Sequence, residues 1–313
     1  MIDNAIEARG LDKKFKEIHA VRGIDFSVKR GEIFSLLGPN GAGKTTTISM
    51  LATLLQPSAG DATIMGHSII KEPMEVKRSI GVVPQDLALF EDLTAIENLN
   101  FWGRMYGLHG SDLKTRVKAV LEIIGLEERQ KGIVGKFSGG MKRRVNIGIA
   151  LLHQPDVIIL DEPTVGIDPQ SRRHILDSVV ALNKQGRTVL YTTHYMEEAQ
   201  ELSHHIAIMD QGKIIASGTH DDLVKIVGEM DRIQLTINIE SAPLIPSIQE
   251  IKGVKKASNE DGTLSLLVDD SDVVLPRLFD LASKKQFRIL SVEIQEPNLE
   301  AVFLHLTGKA LRD

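Results

Sequence analysis

The sequence has 313 residues, 42% apolar and 25% charged, the proportions of an ordinary globular protein with room for one large and one small domain. Its net charge of −5 gives no basic footprint for a nucleic acid. The absence of cysteine excludes disulfides, thiolate zinc sites and thiol catalysis, and fits a reducing cytosol.

The first stretch, MIDNAIEARGLDKKF, has no apolar core of signal-peptide length, which predicts that no leader is present. No apolar run approaches the ~20 residues needed to span a bilayer. If the chain serves a membrane process, another polypeptide is expected to supply the membrane part. Ile24, Phe26 and Val28 alternate with polar residues and predict a strand within residues 1–30. Glu32 to Leu37 is a mostly apolar run that breaks into Gly38-Pro39-Asn40-Gly41, the pattern of a buried strand feeding a loop and a helix. That helix is expected over 44–55, stopped by Gln56-Pro57-Ser58-Ala59-Gly60. Residues 87–152 read as mainly helical, with Leu113, Val117, Val120, Leu121 and Ile124 on one face. Continuous apolar strands follow at 157–160, 188–191 and 206–209. Strands alternating with helices imply a mostly parallel sheet covered by helices.

After about residue 225 the pattern changes. Ile233, Leu235, Ile237 and Ile239 alternate strictly, so this strand has one wet face. A helix near 242–251, strands near 254–260 and 263–269, a helix near 272–285 and a strand near 288–295 complete a βαββαβ order, the ferredoxin-like arrangement. Asn298 is placed to cap a last helix carrying Leu299, Val302, Phe303 and Leu306.

Gly38-Pro39-Asn40-Gly41-Ala42-Gly43-Lys44-Thr45, followed by Thr46, matches the phosphate-loop pattern at every fixed position. The glycines let the backbone point its N–H groups at phosphate oxygens, and the helix that starts there adds its positive end. Lys44 is expected on the β- and γ-phosphates and the Thr45 hydroxyl on Mg²⁺. At the end of the second buried strand stand Asp161 and Glu162, where ligands gather in such sheets. Asp161 is expected to hold Mg²⁺ through water, and Glu162 to act as general base on the attacking water.

Phe137-Ser138-Gly139-Gly140-Met141 resembles the LSGGQ signature of ABC ATPases. An aromatic, the phosphate loop, a glutamine, this signature, the acidic strand, an aspartate turn and a histidine follow in order. Over residues 1 to about 220 that order resembles the ATP-binding subunits of ABC transporters. The resemblance implies an α/β P-loop NTPase core, with antiparallel β and helical subdomains, over 1–222, and an accessory ferredoxin-like domain over 226–313. It implies that Phe15 stacks on adenine and that Gln85 touches Mg²⁺ and water and senses the membrane partner. It also implies that Ser138, Gly139 and Gly140 bind the γ-phosphate held by a second copy, that Asp168 bridges the pair, and that His194 orients the water. ATP and Mg²⁺ are the implied cofactors. A head-to-tail second copy and integral membrane permease subunits are the implied partners, placing the chain in the cytoplasm against the inner membrane face. Phe15 stands where tyrosine is commoner, and Met141 replaces the signature glutamine. Lys142-Arg143-Arg144 is most simply a solvated helix face.

The tail from Gln295 through Glu296-Pro297-Asn298 to Leu311-Arg312-Asp313 resembles drug-exporter ATP-binding subunits of the daunorubicin and linearmycin resistance types. It implies export of a hydrophobic drug, antibiotic or lipid. The C-terminal domain itself carries no catalytic motif and reads as a dimer-stabilising module rather than a sensor. One rival is a soluble ABC ATPase of DNA repair or translation, which usually carries a coiled-coil insertion or two fused halves, and this chain shows neither. An importer subunit shares the core motifs and is separated only by the tail. A non-hydrolysing regulator is opposed by Glu162 and His194.

Overall fold

The computed structural model describes residues 4–227, 230–239, 242–260, 263–295 and 298–308. Glu296, Pro297 and Leu311-Arg312-Asp313 of the tail resemblance lie outside them. The described chain divides into two compact units, with the division along the sequence falling between His220 and Asp221.

The first unit is built on a six-stranded sheet. Its strands are β3 (Ile33–Leu37), β6 (Ile80–Val83), β7 (Val157–Asp161), β8 (Thr188–Thr193), β9 (His205–Asp210) and β10 (Lys213–Gly218), in the order β10-β9-β3-β8-β7-β6. All neighbours are parallel except the β9–β10 pair. Both faces are buried, which is why these strands read as unbroken apolar runs. Val157 and Ile159 enter one core and Ile158 and Leu160 the other, because successive side chains leave a strand on opposite faces. Each such buried side chain contributes about 1.5–3 kcal/mol relative to exposure.

A second, antiparallel sheet holds β1 (Asn4–Phe15), β2 (Ile18–Lys29), β4 (Ala59–Ile64) and β5 (His67–Ser68), ordered β2-β1-β4-β5. Its inward residues Ile6, Leu11, Val28 and Ile64 share a core with Phe34, Leu36 and Met50. Helix α1 (Lys44–Leu51) follows the phosphate loop, and α2 (Pro73–Ser79) precedes β6. The region 87–152 holds α3 (Ala95–Met105), α4 (Gly110–Ile123) and α5 (Gly139–Leu151), joined by irregular segments. Arg116 of α4 donates to the carbonyls of Leu151 and Leu152 at the end of α5. Arg144 of α5 donates in return to Ile124 and Gly125 at the end of α4. Each arginine satisfies carbonyls that the other helix leaves open. Helices α6 (Pro169–Lys184) and α7 (Met196–Leu202) complete the unit, and α8 (His220–Val224) lies at the junction.

The second unit contains β11 (Asp231–Ile237), α9 (Ile245–Gln249), β12 (Val254–Glu260), β13 (Thr263–Val268), α10 (Ser271–Lys285), β14 (Ile289–Gln295) and α11 (Leu299–Thr307). The sheet order β12-β13-β11-β14, antiparallel throughout, is the ferredoxin-like arrangement the alternation predicts. Asn298 caps α11, its side chain accepting from Ala301 N at 3.0 Å. No helix among the described residues is long and apolar enough to cross a membrane.

Candidate active site

The phosphate loop is forced into its curl by close backbone contacts. Gly43 has φ 108°, and a Cβ there would meet the Ala20 carbonyl oxygen at 2.5 Å. The loop is pinned from the side, since Gly212 N donates to Ala42 O at 2.9 Å and Arg22 N to Gly212 O at 2.8 Å. Asn40, Gly41, Gly43, Lys44, Thr45 and Thr46 line a cleft of about 470 Å³, with Gln85 and Glu162. Gly38, Pro39 and Ala42 shape the loop beneath it: the Lys44 ammonium takes Gly38 O at 2.6 Å and Pro39 O at 3.0 Å, and Ala42 N donates to Pro39 O.

The two acids at the end of β7 lie buried, Asp161 at 2% and Glu162 at 4% exposure. The third donor position of the Lys44 ammonium meets Glu162 Oε1 at 2.9 Å, and His194 Nδ1 lies 3.4 Å from Oε2 of the same carboxylate. Glu162 has φ 45°, a left-handed backbone rare for a side chain with a Cβ and the kind of strain that collects at functional sites. Its amide is held by the Thr192 hydroxyl at 3.0 Å, and that hydroxyl donates to Asp161 Oδ1 at 2.6 Å. Burial pushes the Asp161 carboxyl above the usual carboxylate range and Glu162 adds to this. The hydroxyls of Thr192 and Thr45 and the Lys44 charge pull the other way. Thr45 and Gln85 line the cleft and Asp161 ends β7 behind it, and all three carry oxygens of the hard kind that suit Mg²⁺.

The signature residues stand elsewhere. Ser138 caps α5, accepting from Met141 N at 3.2 Å, with Ser138 and Gly139 exposed. Gly140 is buried, and a Cβ there would strike the Ser171 side chain at 2.1 Å. Asp168 is exposed and caps α6 through Ser171 N at 2.9 Å, a bond that lowers its carboxyl pKa. None of Ser138, Gly139, Gly140 or Asp168 lines the cleft that holds Lys44. Phe15, 42% exposed, sits at the tip of the β1–β2 hairpin with the Lys13 ammonium 5.1 Å from its ring centroid. It pairs across the hairpin with Ile18, and Ile18, rather than Phe15, lines the cleft.

Several contributors escape the motif reading. Ile18, His19, Arg22, Gln211 and Gly212 line the cleft from the hairpin and the β9–β10 turn, and no local pattern marks them. Thr192 was visible only as the second residue before His194. Glu198 is 2% exposed and accepts hydroxyl bonds from Thr164, Tyr191 and Thr193 at 2.7–2.9 Å, fastening α7 behind the acidic strand.

Lys142-Arg143-Arg144 corrects the expectation of a solvated face. Arg143 is 5% exposed and Arg144 is spent on the end of α4. Lys142 reaches Glu91 at 2.6 Å. The helix is wrapped on this side by the 84–91 segment and by α4, a tertiary contact that charge alone does not reveal.

Residues 21–165 match the ABC transporter family, and residues 229–307 match the C-terminal domain of DrrA1-3-like ATP-binding proteins. The linearmycin resistance ATP-binding protein LnrL of Bacillus subtilis is 48% identical over 98% of this chain and 100% of its own. The daunorubicin/doxorubicin resistance ATP-binding protein DrrA of Streptomyces peucetius is 38% identical over 99% and 94%. A solved ATP-binding subunit of an ABC transporter superposes with a TM-score of 0.65 at 31% identity, over 72% of this chain and 93% of that one. A cassette solved as a dimer in a post-hydrolysis state with ADP and Pi gives 0.62 at 27% identity, over 68% and 98%.

Proposed function

This chain belongs to the ATP-binding subunits of ABC transporters, and we propose that it works as one of a head-to-tail pair powering export of a hydrophobic drug, antibiotic or lipid through separate membrane subunits. The observation that carries the pairing is the split of the motifs. Lys44, Gln85 and Glu162 share a cleft, whereas Ser138 and Gly139 present an exposed helix start away from it. Free N–H groups and a hydroxyl at a helix start form an anion site, useful to a nucleotide only if it lies between two surfaces. The export direction rests on full-length similarity to resistance proteins.

In this reading the phosphate oxygens take over the Lys44 donors now shared by two carbonyls and Glu162. Released from that ion pair, the Glu162 carboxylate accepts a proton from water. The water oxygen bonds to the γ-phosphorus as the bridge to the β-phosphate breaks, giving ADP and phosphate. His194, against the other Glu162 oxygen, holds carboxylate and water in line. Thr45 and Gln85, with Asp161 through a water, would hold Mg²⁺, which would supply positive charge beside the phosphates. Phe15 and Ile18 at the hairpin tip offer an apolar edge to the base. Ser138, Gly139, Gly140 and Asp168 serve the second copy's nucleotide.

An apolar groove of about 1070 Å³ between α3 and α4 contains Phe101, Met105, Val117 and Leu121, flanked by Arg104 and Lys118. Met105 is 68% exposed there. A helix of the membrane subunit fits this groove, which would hold the chain on the inner membrane face. The pairing is tested by turnover against protein concentration. Turnover per chain should rise through the monomer–dimer range, and a constant value across it would refute the shared site.

A further inference from the structure

The segment after β6 carries Gln85, and the structure shows what holds it. The β6 ladder ends at Val83, paired with Leu160. Beyond it the backbone groups must find other partners. Arg143 supplies them: its Nη1 donates to Pro84 O and its Nη2 to Gln85 O, both at 2.6 Å. Two neighbours on the same helix extend the grip. Asn146 Oδ1 accepts from Ala88 N at 3.3 Å, and Lys142 pairs with Glu91 at 2.6 Å.

A guanidinium with 5% exposure is costly to bury unless its donors are used, and here both Nη groups are spent on the two carbonyls while Nε has no hydrogen-bond partner. Burial lowers the Arg143 pKa from its ordinary value, and the nearby Asp161, Asp86 and Tyr191 oppose that. The planar fork meets the two carbonyls with two separate nitrogens, a geometry that a lysine ammonium on its single stem does not reproduce. Arg143 also sits four residues after Gly139 and three after Gly140, one turn from the exposed signature. At 1.5 Å per residue that is about 5–6 Å along a rigid helix.

We propose that Arg143 is a positioning residue that yokes the Gln85 segment to the signature helix, so that the signature and the glutamine move as one body. The yoke rests on the shared-site reading above. In it, the signature of one chain touches one nucleotide while Gln85 of that chain faces the other, so the yoke links the two hydrolysis sites. Arg143 touches neither nucleotide and acts through the backbone of Gln85.

The test is steady-state ATPase of the full chain carrying Arg143→Met, Gln85→Ala and both. Arg143→Met should lower kcat about tenfold or more and leave KM for ATP within about twofold, since the phosphate loop is untouched. Arg143→Lys, which restores one bond, should recover part of kcat. The double variant should be no slower than Gln85→Ala alone, because two groups acting through one element are not additive. If Arg143→Met turns over like the native chain, the proposal fails. It fails equally if the two losses multiply, since Arg143 would then act apart from Gln85. If Arg143→Met does not fold, Arg143→Gln, which keeps one donor amide, carries the same cycle. A native chain without ATPase activity would refute the wider reading instead, so the two failures are distinct.

Discussion

The two halves of the site contrast in how finished they are. Around Lys44, the charged motif residues are buried and packed on one another: the ammonium sits on two carbonyls and Glu162, His194 lies 3.4 Å from Glu162, and Asp161 accepts from Thr192. Around Ser138 and Asp168, the side chains are exposed and do no more than cap their own helices. The first half is a cleft shaped by its own chain. The second is an exposed surface, which the proposed pairing would set against a second copy's cleft. The difference teaches that residues gathered by sequence motifs need not be gathered by one fold.

The buried half should break hardest. Glu162→Gln keeps the size of the side chain but cannot take the water's proton. Turnover should fall about 10²–10⁴-fold while ATP still binds, which paired rate and nucleotide-binding measurements will show. The exposed half should break more selectively. Ser138→Gly removes the hydroxyl yet costs the helix cap only a few tenths of a kcal/mol. The melting temperature should move by about a degree at most, ATP binding to the separate chain should stay unchanged, and turnover should fall by about 10²-fold. A loss of ATP affinity in the monomer would instead place Ser138 in its own chain's cleft.

Stability sharpens the contrast further. Asp161 has a raised folded pKa, chiefly from burial, so its charged form opposes folding. The stability tied to its protonated form is complete at low pH and is lost as pH rises through that raised value. Asp161→Asn removes the buried charge. Without nucleotide it should melt a few degrees above the native chain at pH 8, the scale of about 1 kcal/mol in a unit this size. The gain should shrink as pH falls toward the ordinary carboxylate range. An exposed counterpart, Asp168→Asn, should show no such gain.

The parts legible in the sequence were those fixed by local pattern. The buried strands read correctly because both faces of a parallel sheet demand apolar residues, as in Val157 to Leu160. The βαββαβ order of the second unit followed from the succession of strand-like segments, such as Ile233, Leu235 and Ile237, and helix-like ones, such as Val273, Leu275, Leu278 and Leu281. Helix α1 ends at Leu51 rather than 55, because Thr53 turns left-handed (φ 56°) and Leu54 N bonds back to Ser49 O. Such a stop usually falls on glycine, so threonine hid it. The cleft walls at Ile18, Arg22 and Gln211 were illegible, since they arrive from strands distant in sequence. Arg143 was misread for the same reason: a cation in a basic triplet looks solvated until the segment it holds is placed over it.

The central claim is that the exposed half completes a second chain's cleft. Sizing the Glu162→Gln protein with and without ATP and Mg²⁺ tests it most directly, because blocked hydrolysis leaves the nucleotide between the two surfaces. The account predicts a shift to twice the mass with ATP and Mg²⁺, abolished when Ser138→Arg is added. A peak that stays at monomer mass with ATP bound would contradict it.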